Sequence, residues 1–268
     1  MPSFKLPAFS AALMAAVLPL TGGTLTATTA SAAPAVNTVA ATTRGCTSPA
    51  RTTFSQAQGI ATAPSCVGTA WSYALPATSS PSTPRRTESH WSDSKGIHFM
   101  RAGDTVTYEA DYLTNLGAAA YNDNNWHVIW QLHGPIGTAW NPPVLDLYVR
   151  KGELRLGGGS GHPNQNWSTR NYEWIRKLAT YQDNKPFRVK IQAYLSSDPK
   201  KGWVSAWVNG VQVLNQYRPT SYAGGLQPGT YYPGQSYVAS RTGLYRGTQS
   251  GAIPTYRQSV TAKVIQAY

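Results

Sequence analysis

From residue 105 onward, short runs in which every second residue is apolar dominate this chain, and turn dipeptides separate them. A period of two puts alternate side chains on opposite faces of an extended segment, so each run reads as a strand with one buried face. In residues 105–113, Val106, Tyr108, Ala110 and Tyr112 share a face. In residues 187–195 the apolar side is Phe187, Val189, Ile191, Ala193 and Leu195, with Arg188, Lys190, Gln192 and Tyr194 opposite. Residues 144–150 set Leu145, Leu147 and Val149 against Asp146, Tyr148 and Arg150. Lys151-Gly152 and Asn209-Gly210 sit between such runs, where a two-residue hairpin needs residues that tolerate positive φ. No helical period follows the first thirty or so residues. Many short strands joined by tight turns predict an all-β antiparallel sandwich of two sheets, of the jelly-roll type.

The charge pattern narrows the partner. Asp, Glu, Lys and Arg make up only 13% of the chain, yet 23 basic residues face 11 acidic ones, a formal charge of +12. All the acids lie between Glu88 and Asp198. Such a surface suits an anionic partner. Nucleic acid is not expected, since no basic helix or recognised motif is present.

The first residues have the form of a secretory signal: Lys5, an apolar stretch from Leu6 to Leu20, and Ala30-Ser31-Ala32 as a cleavage site. Pro7, Pro19 and Gly22-Gly23 break this stretch below a membrane-spanning length. The expected organisation is a signal over residues 1–32, an N-terminal extension over 33–84, and a sandwich domain over 85–268 that may take edge strands from the extension. The protein is expected to be an exported monomer without a membrane partner. Export permits disulfides, and Cys46 with Cys66 is the one possible pair. It closes a loop of about twenty residues, worth about 3 kcal/mol. The Pro/Ser/Thr-rich stretch 75–84 reads as an irregular connection.

Three segments carry polar groups where a half-buried strand ordinarily has bland ones. Around Trp126-His127-Val128-Ile129-Trp130-Gln131-Leu132-His133, strict alternation buries Trp126, Val128, Trp130 and Leu132 and leaves His127, Ile129, Gln131 and His133 on the other face. Tyr237, Arg241 and Tyr245 share one face, as do Arg86, Glu88 and His90. A groove lined by Arg, Gln, His and Tyr, and poor in carboxylates, suits β-elimination on a polyuronate. The C5 proton lies beside a carboxylate that must first be neutralised by Arg and Gln. A His or Tyr then removes the proton, and a Tyr can protonate the departing O4.

These residues resemble the jelly-roll polysaccharide lyases, a group that includes alginate lyases, glucuronan lyases and the heparin lyase I type. The alginate lyases of that group carry R-(S/T)-E-(L/V)-R, Q-(I/V)-H and Y-F-K-A-G-x-Y in this order. The present chain has Arg86-Thr87-Glu88-Ser89-His90, Gln131-Leu132-His133 and Ala239-Ser240-Arg241-Thr242-Gly243-Leu244-Tyr245. The resemblance implies a concanavalin-like jelly roll. It also implies that Arg86 and Gln131 neutralise the substrate carboxylate, that His133 assists or acts as base, and that Tyr245 is the acid or both acid and base. Arg241 stands where that family has Lys; His90 replaces its second Arg, Ser89 an apolar residue, and Ala239-Ser240 its Tyr-Phe. Arg241, Tyr237, His90, Lys190, Arg150 and His127 are the expected substrate-binding residues. Gly-Leu-Tyr-Arg at 243–246 and Trp-x-Asn-Gly at 207–210 look closer to the glucuronan and heparin branch, so a glucuronan-like anionic polysaccharide is the expected substrate. The elimination requires no cofactor, and the sequence is compatible with a structural calcium.

Two other classes compete. A glycoside hydrolase needs two positioned carboxylates, and beyond Glu109 and Asp111 no acid follows in register. A lectin-like binding module would use aromatics such as Trp140, Trp167 and Trp174 for stacking, but does not need Gln131, His133 and Tyr245 in register. A zinc site is not expected, because no H-E-x-x-H pattern exists. Glycines 157–159 and 161, with His162 after them, read as a mobile loop over the groove.

Overall fold

The computed structural model describes residue 46 and residues 64–77, 85–93, 96–121, 126–134, 142–247 and 255–268. In chain order the strands are β1 (Ser65–Val67), β2 (Ala70–Leu75), β3 (Arg85–His90), β4 (Ser92–Asp93), β5 (Gly96–Ile97) and β6 (Phe99–Met100). Then come β7 (Thr105–Asn115), β8 (His127–His133), β9 (Leu145–Arg150), β10 (Glu153–Gly158) and β11 (Trp174–Thr180). The last five are β12 (Phe187–Tyr194), β13 (Trp203–Val208), β14 (Val211–Tyr217), β15 (Val238–Arg246) and β16 (Tyr256–Ala267). One short 3-10 turn, Gly117–Tyr121, is the only helical element among the described residues.

Two antiparallel sheets face each other, as the alternation predicts. One has the order β1-β2-β16-β7-β12-β13-β14, the other β11-β10-β9-β8-β15-β3, with β6 also pairing β15; β4 and β5 form a small separate ribbon. The inner faces are the apolar sets read from the sequence: Val106, Tyr108, Ala110 and Tyr112 from β7, and Val189, Ile191 and Ala193 from β12. Opposite them stand Leu145, Leu147 and Val149 from β9. Trp130 of β8 stacks on Tyr108 of β7 with ring centroids 4.6 Å apart. Its indole N–H donates to Ser240 of β15 (2.9 Å), so the buried polar edge is satisfied. Each fully buried Leu, Ile or Val contributes about 1.5–3 kcal/mol, so the interleaved faces drive the sandwich together.

Both predicted hairpins form with the expected backbone: Lys151 and Gly152 have φ of 57° and 68°, and Asn209 and Gly210 have 51° and 83°. The glycine run departs from its expected role. Gly157 and Gly158 lie inside β10, and a side chain on Gly158 would overlap the Val144 carbonyl and the Trp174 indole. These glycines allow strands to approach closely rather than forming a loop over a groove. Trp174 is fully buried at the start of β11, whereas Trp167 is exposed; Trp140 lies outside the described residues. The Cys46–Cys66 disulfide is formed, and it holds residue 46 beside β1 and β2 at the edge of the first sheet.

Candidate active site

The polar face of the second sheet is assembled by strand register. On β15, Ser240, Thr242 and Leu244 turn inward: Ser240 meets Trp130, the Thr242 hydroxyl lies 3.3 Å from that of Tyr108, and Leu244 joins the core. Ala239, Arg241, Gly243 and Tyr245 therefore face out. Arg241 stands opposite His90 of β3 on one side and Gln131 of β8 on the other. Tyr245 stands opposite Arg86 and Val128, and His133 opposite Ala239. Arg86, Gln131, His133, Arg241, His90 and Tyr245, distant in sequence, thus share one surface.

One predicted member leaves it. The pairing of β8 shifts between Val128 and Trp130. Such a bulge inserts one residue and reverses the alternation beyond it. Val128 consequently joins Gln131 and His133 on the outer face, while His127 turns inward, edge-on to the Tyr256 ring of β16 at 5.0 Å. His127 lies between the sheets, on the face away from the groove. Lys190 is also removed from the site. It lies on the outer face of the other sheet, 5.0 Å above the Trp207 ring. Arg150 shares the face of Asp146 and Tyr148 but stands four residues beyond Asp146, about 13 Å along β9. Tyr237 packs with its ring tilted against Phe99, centroids 4.3 Å apart, at the end of the groove where Phe99 and His133 flank Ala239.

Glu88, which the sequence placed here without a role, is the centre of the cluster. It is 2% exposed. The Gln131 amide donates to its Oε1 at 2.5 Å, and Arg86 Nη1 lies 3.7 Å from its Oε2. Burial pushes its carboxyl up, and Arg86, Arg241 and the Gln131 hydrogen bond oppose this. Asp146 also stands on this face, directly across from Gln131. The expectation of a carboxylate-poor groove is therefore corrected. Acids are scarce in the chain, but register concentrates two beside Gln131.

His133 has a defined tautomer. Its Nδ1 lies 2.9 Å from the Gly134 carbonyl oxygen. A carbonyl only accepts, so Nδ1 carries the hydrogen and Nε2 presents a lone pair. Burial pulls this imidazole down to about 4, and the Arg241 and Arg86 cations add to the effect against the Gly134 hydrogen bond. The ring is neutral at neutral pH. His90 is likewise held near 4 by burial and by Arg241. Arg241 itself is pulled down by burial, with Glu88 opposing. The Arg86 guanidinium lies 4.1 Å over the Tyr245 ring, and Trp126 packs edge-on to the same ring at 4.9 Å. Tyr245 and His133 thus bracket the cluster, with Val128 and His133 about 15 Å apart along β8. Gly243 has no side chain because β3 lies against it: a Cβ there would overlap the Thr87 carbonyl oxygen.

His162 is occupied elsewhere, stacked flat on Tyr172 at 3.7 Å. Among the described residues, no group of three or more His, Cys, Asp or Glu is placed to hold a metal ion.

Known proteins share this fold. The structure is similar to an endo-β-1,4-glucuronan lyase from the fungus Trichoderma reesei, with a TM-score of 0.54 and 17% identity over 74% of this chain and 82% of that one. It is also similar to an alginate lyase from Pseudomonas aeruginosa, with a TM-score of 0.44 and 17% identity over 68% of this chain and 73% of that one. No curated protein sequence matches. The family model described as polysaccharide lyase matches residues 36–261, a span that contains every residue of the cluster and every strand except the second half of β16. The chain belongs to the polysaccharide lyase family.

Proposed function

We propose that this lyase cleaves a uronate-containing polysaccharide, glucuronan-like in preference, by β-elimination in the groove between Tyr245 and His133. The observation that carries the reading is the pairing of Arg241 with both Gln131 and His90, beside a His133 whose Nε2 lone pair is open. Arg241 and Arg86 hold the substrate carboxylate by charge, and Gln131 is fixed at the same place by Glu88. Their cations stabilise the negative charge that builds on the carboxylate when C5 loses its proton. His133 Nε2 takes that proton, the electron pair forms the C4–C5 double bond, and the C4–O4 bond breaks. Tyr245, on the same face of the ring because H5 and O4 of a glucuronate are syn, gives its hydroxyl proton to O4. A bound carboxylate also offsets the two cations that hold His133 down, so the base strengthens when substrate is present.

The similarity to a glucuronan lyase supports the preferred polymer, and the excess of basic residues supports an anionic one. The leader over residues 1–32, which lies outside the described residues, supports export to where such polymers occur. The test is to supply glucuronan, alginate and heparin to the full chain and follow the ultraviolet absorbance of the unsaturated product. Glucuronan should give the fastest rise, and Tyr245→Phe should abolish it while leaving binding nearly unchanged. No rise with any of these polymers, or full activity in Tyr245→Phe, sinks the mechanism.

A further inference from the structure

We propose that Phe99 is a sugar-stacking platform at the His133 end of the groove. Its ring takes the flat C–H face of the uronate unit next to the one being cleaved. The inference rests on the uronate-lyase reading above.

Register places the ring. β6 pairs β15 with Phe99 opposite Ala239 and Met100 opposite Val238. Direct cross-strand partners share a face of the sheet. Met100 accordingly turns inward and is buried in the core, whereas Phe99 turns outward with Ala239 and is 43% exposed. His133 of β8 stands opposite the same Ala239 on its other side. Phe99, Ala239 and His133 therefore form one row across three strands. Neighbouring strands are about 4.8 Å apart, so the backbones of Phe99 and His133 lie about 10 Å apart. That separation sets the ring beyond the sugar that His133 attacks, beside the next unit of the chain.

Core packing does not account for this phenylalanine, since Met100 already supplies the contribution of β6 to the core. The ring is instead backed and held. Tyr237 lies tilted against it at 49°, with centroids 4.3 Å apart. The Arg241 cation also feels the Tyr237 phenol, so the aromatic pair adjoins the group that holds the substrate carboxylate. The backbone leading into β6 is tied to β3 and β15. The His98 N–H donates to the Trp91 carbonyl oxygen at 3.0 Å, and the Trp91 N–H donates to that of Ser240 at 3.0 Å. The Trp91 and His98 rings stack at 4.3 Å. A ring fixed before binding loses little freedom when a ligand arrives.

The chemistry of the ligand follows from the ring. A phenyl face makes no hydrogen bonds and suits an apolar surface. A β-linked glucuronate carries its substituents equatorially, so its axial C–H bonds form such a surface. An α-linked guluronate has an axial hydroxyl and axial linkages that interrupt it. Both polymers carry one carboxylate per unit, so the arginines meet the same charge in each. Phe99 should therefore favour the glucuronate chain through ring shape.

The experiment measures binding by calorimetry in the full chain carrying Tyr245→Phe, with glucuronate and guluronate hexasaccharides. Adding Phe99→Ala should weaken the glucuronate hexasaccharide about tenfold, the upper range for a contact between flat rings. Phe99→Tyr should restore the affinity, and Phe99→Leu, apolar but not flat, should not. The loss should be equal at low and high salt, because no charge is removed. Unchanged affinity in Phe99→Ala, or Phe99→Leu binding as well as Phe99→Tyr, overturns this proposal alone. A guluronate hexasaccharide that binds and loses as much in Phe99→Ala also overturns it. No binding of the glucuronate hexasaccharide before Phe99 is changed overturns it together with the uronate-lyase reading.

Discussion

Arg241→Gln should make His133 a stronger base, and the size of the effect can be worked out. His133 is held near 4 where an ordinary imidazole sits at 6.5. At ~1.36 kcal/mol per pH unit, this is about 3 kcal/mol of preference for the neutral ring. Burial is the largest cause and does not depend on the Arg241 charge. The Arg241 cation is the next cause. Arg241 and His133 are diagonal cross-strand neighbours, and one charge at the roughly 7 Å of such a pair, in an effective dielectric of about 40, contributes roughly 1.2 kcal/mol, or about one pH unit. His133 should therefore titrate near 5 in Arg241→Gln, and stay near 4 in Arg241→Lys, which keeps the charge. The assay is the pH dependence of the His133 imidazole resonances, assigned by their loss in His133→Ala, and needs no substrate. Where turnover is measurable, the acid limb of kcat/KM should move by the same amount, since it reports the free enzyme. If His133 titrates at the same pH in wild type and Arg241→Gln, the cation does not govern it. The electrostatic account of the base then fails.

Acid should weaken the fold through the same histidines. His90, His127 and His133 are all held near 4, below the value of 6.5 they regain on unfolding. Their neutral forms thus contribute stability that is fully present above 6.5 and lost as the pH falls from there to 4. The limit is about 3 kcal/mol for each fully buried ring. In urea unfolding, His127→Phe should lose less stability than wild type over this interval, and parallel losses would refute the assignment. Lys190→Ala should leave kcat/KM unchanged within error and cost about 0.5–1 kcal/mol, the worth of an exposed cation–π contact with Trp207. A large loss of activity would place the site on the wrong sheet.

Much of the fold was legible because strands announce themselves locally. The alternation in β7, β9 and β12 marks the core faces, and Lys151-Gly152 and Asn209-Gly210 mark the hairpins, since both signals act between near neighbours in sequence. The face of β8 was misread at His127 because a bulge arises from pairing with β9 and β15, which the segment alone does not encode. Lys190 was misplaced for a related reason. Alternation shows that a residue faces solvent, but not on which of two sheets. Glu88 was visible inside Arg86-Thr87-Glu88-Ser89-His90. Its burial among Arg86, Arg241 and Gln131 was not, because that depends on which strands lie beside β3.

The sequence by itself determined the class of structure and the residue types for the chemistry: strand period, turn residues, a basic excess and three polar motifs in order. These depend on short-range sterics and side-chain identity. Only the tertiary structure decided which of these residues meet. Register across β3, β15, β8 and β9 brings Arg241 between His90 and Gln131, ties Gln131 to Glu88 and places Asp146 across from Gln131. Each of these depends on residues far apart in the chain, made neighbours by backbone pairing and burial.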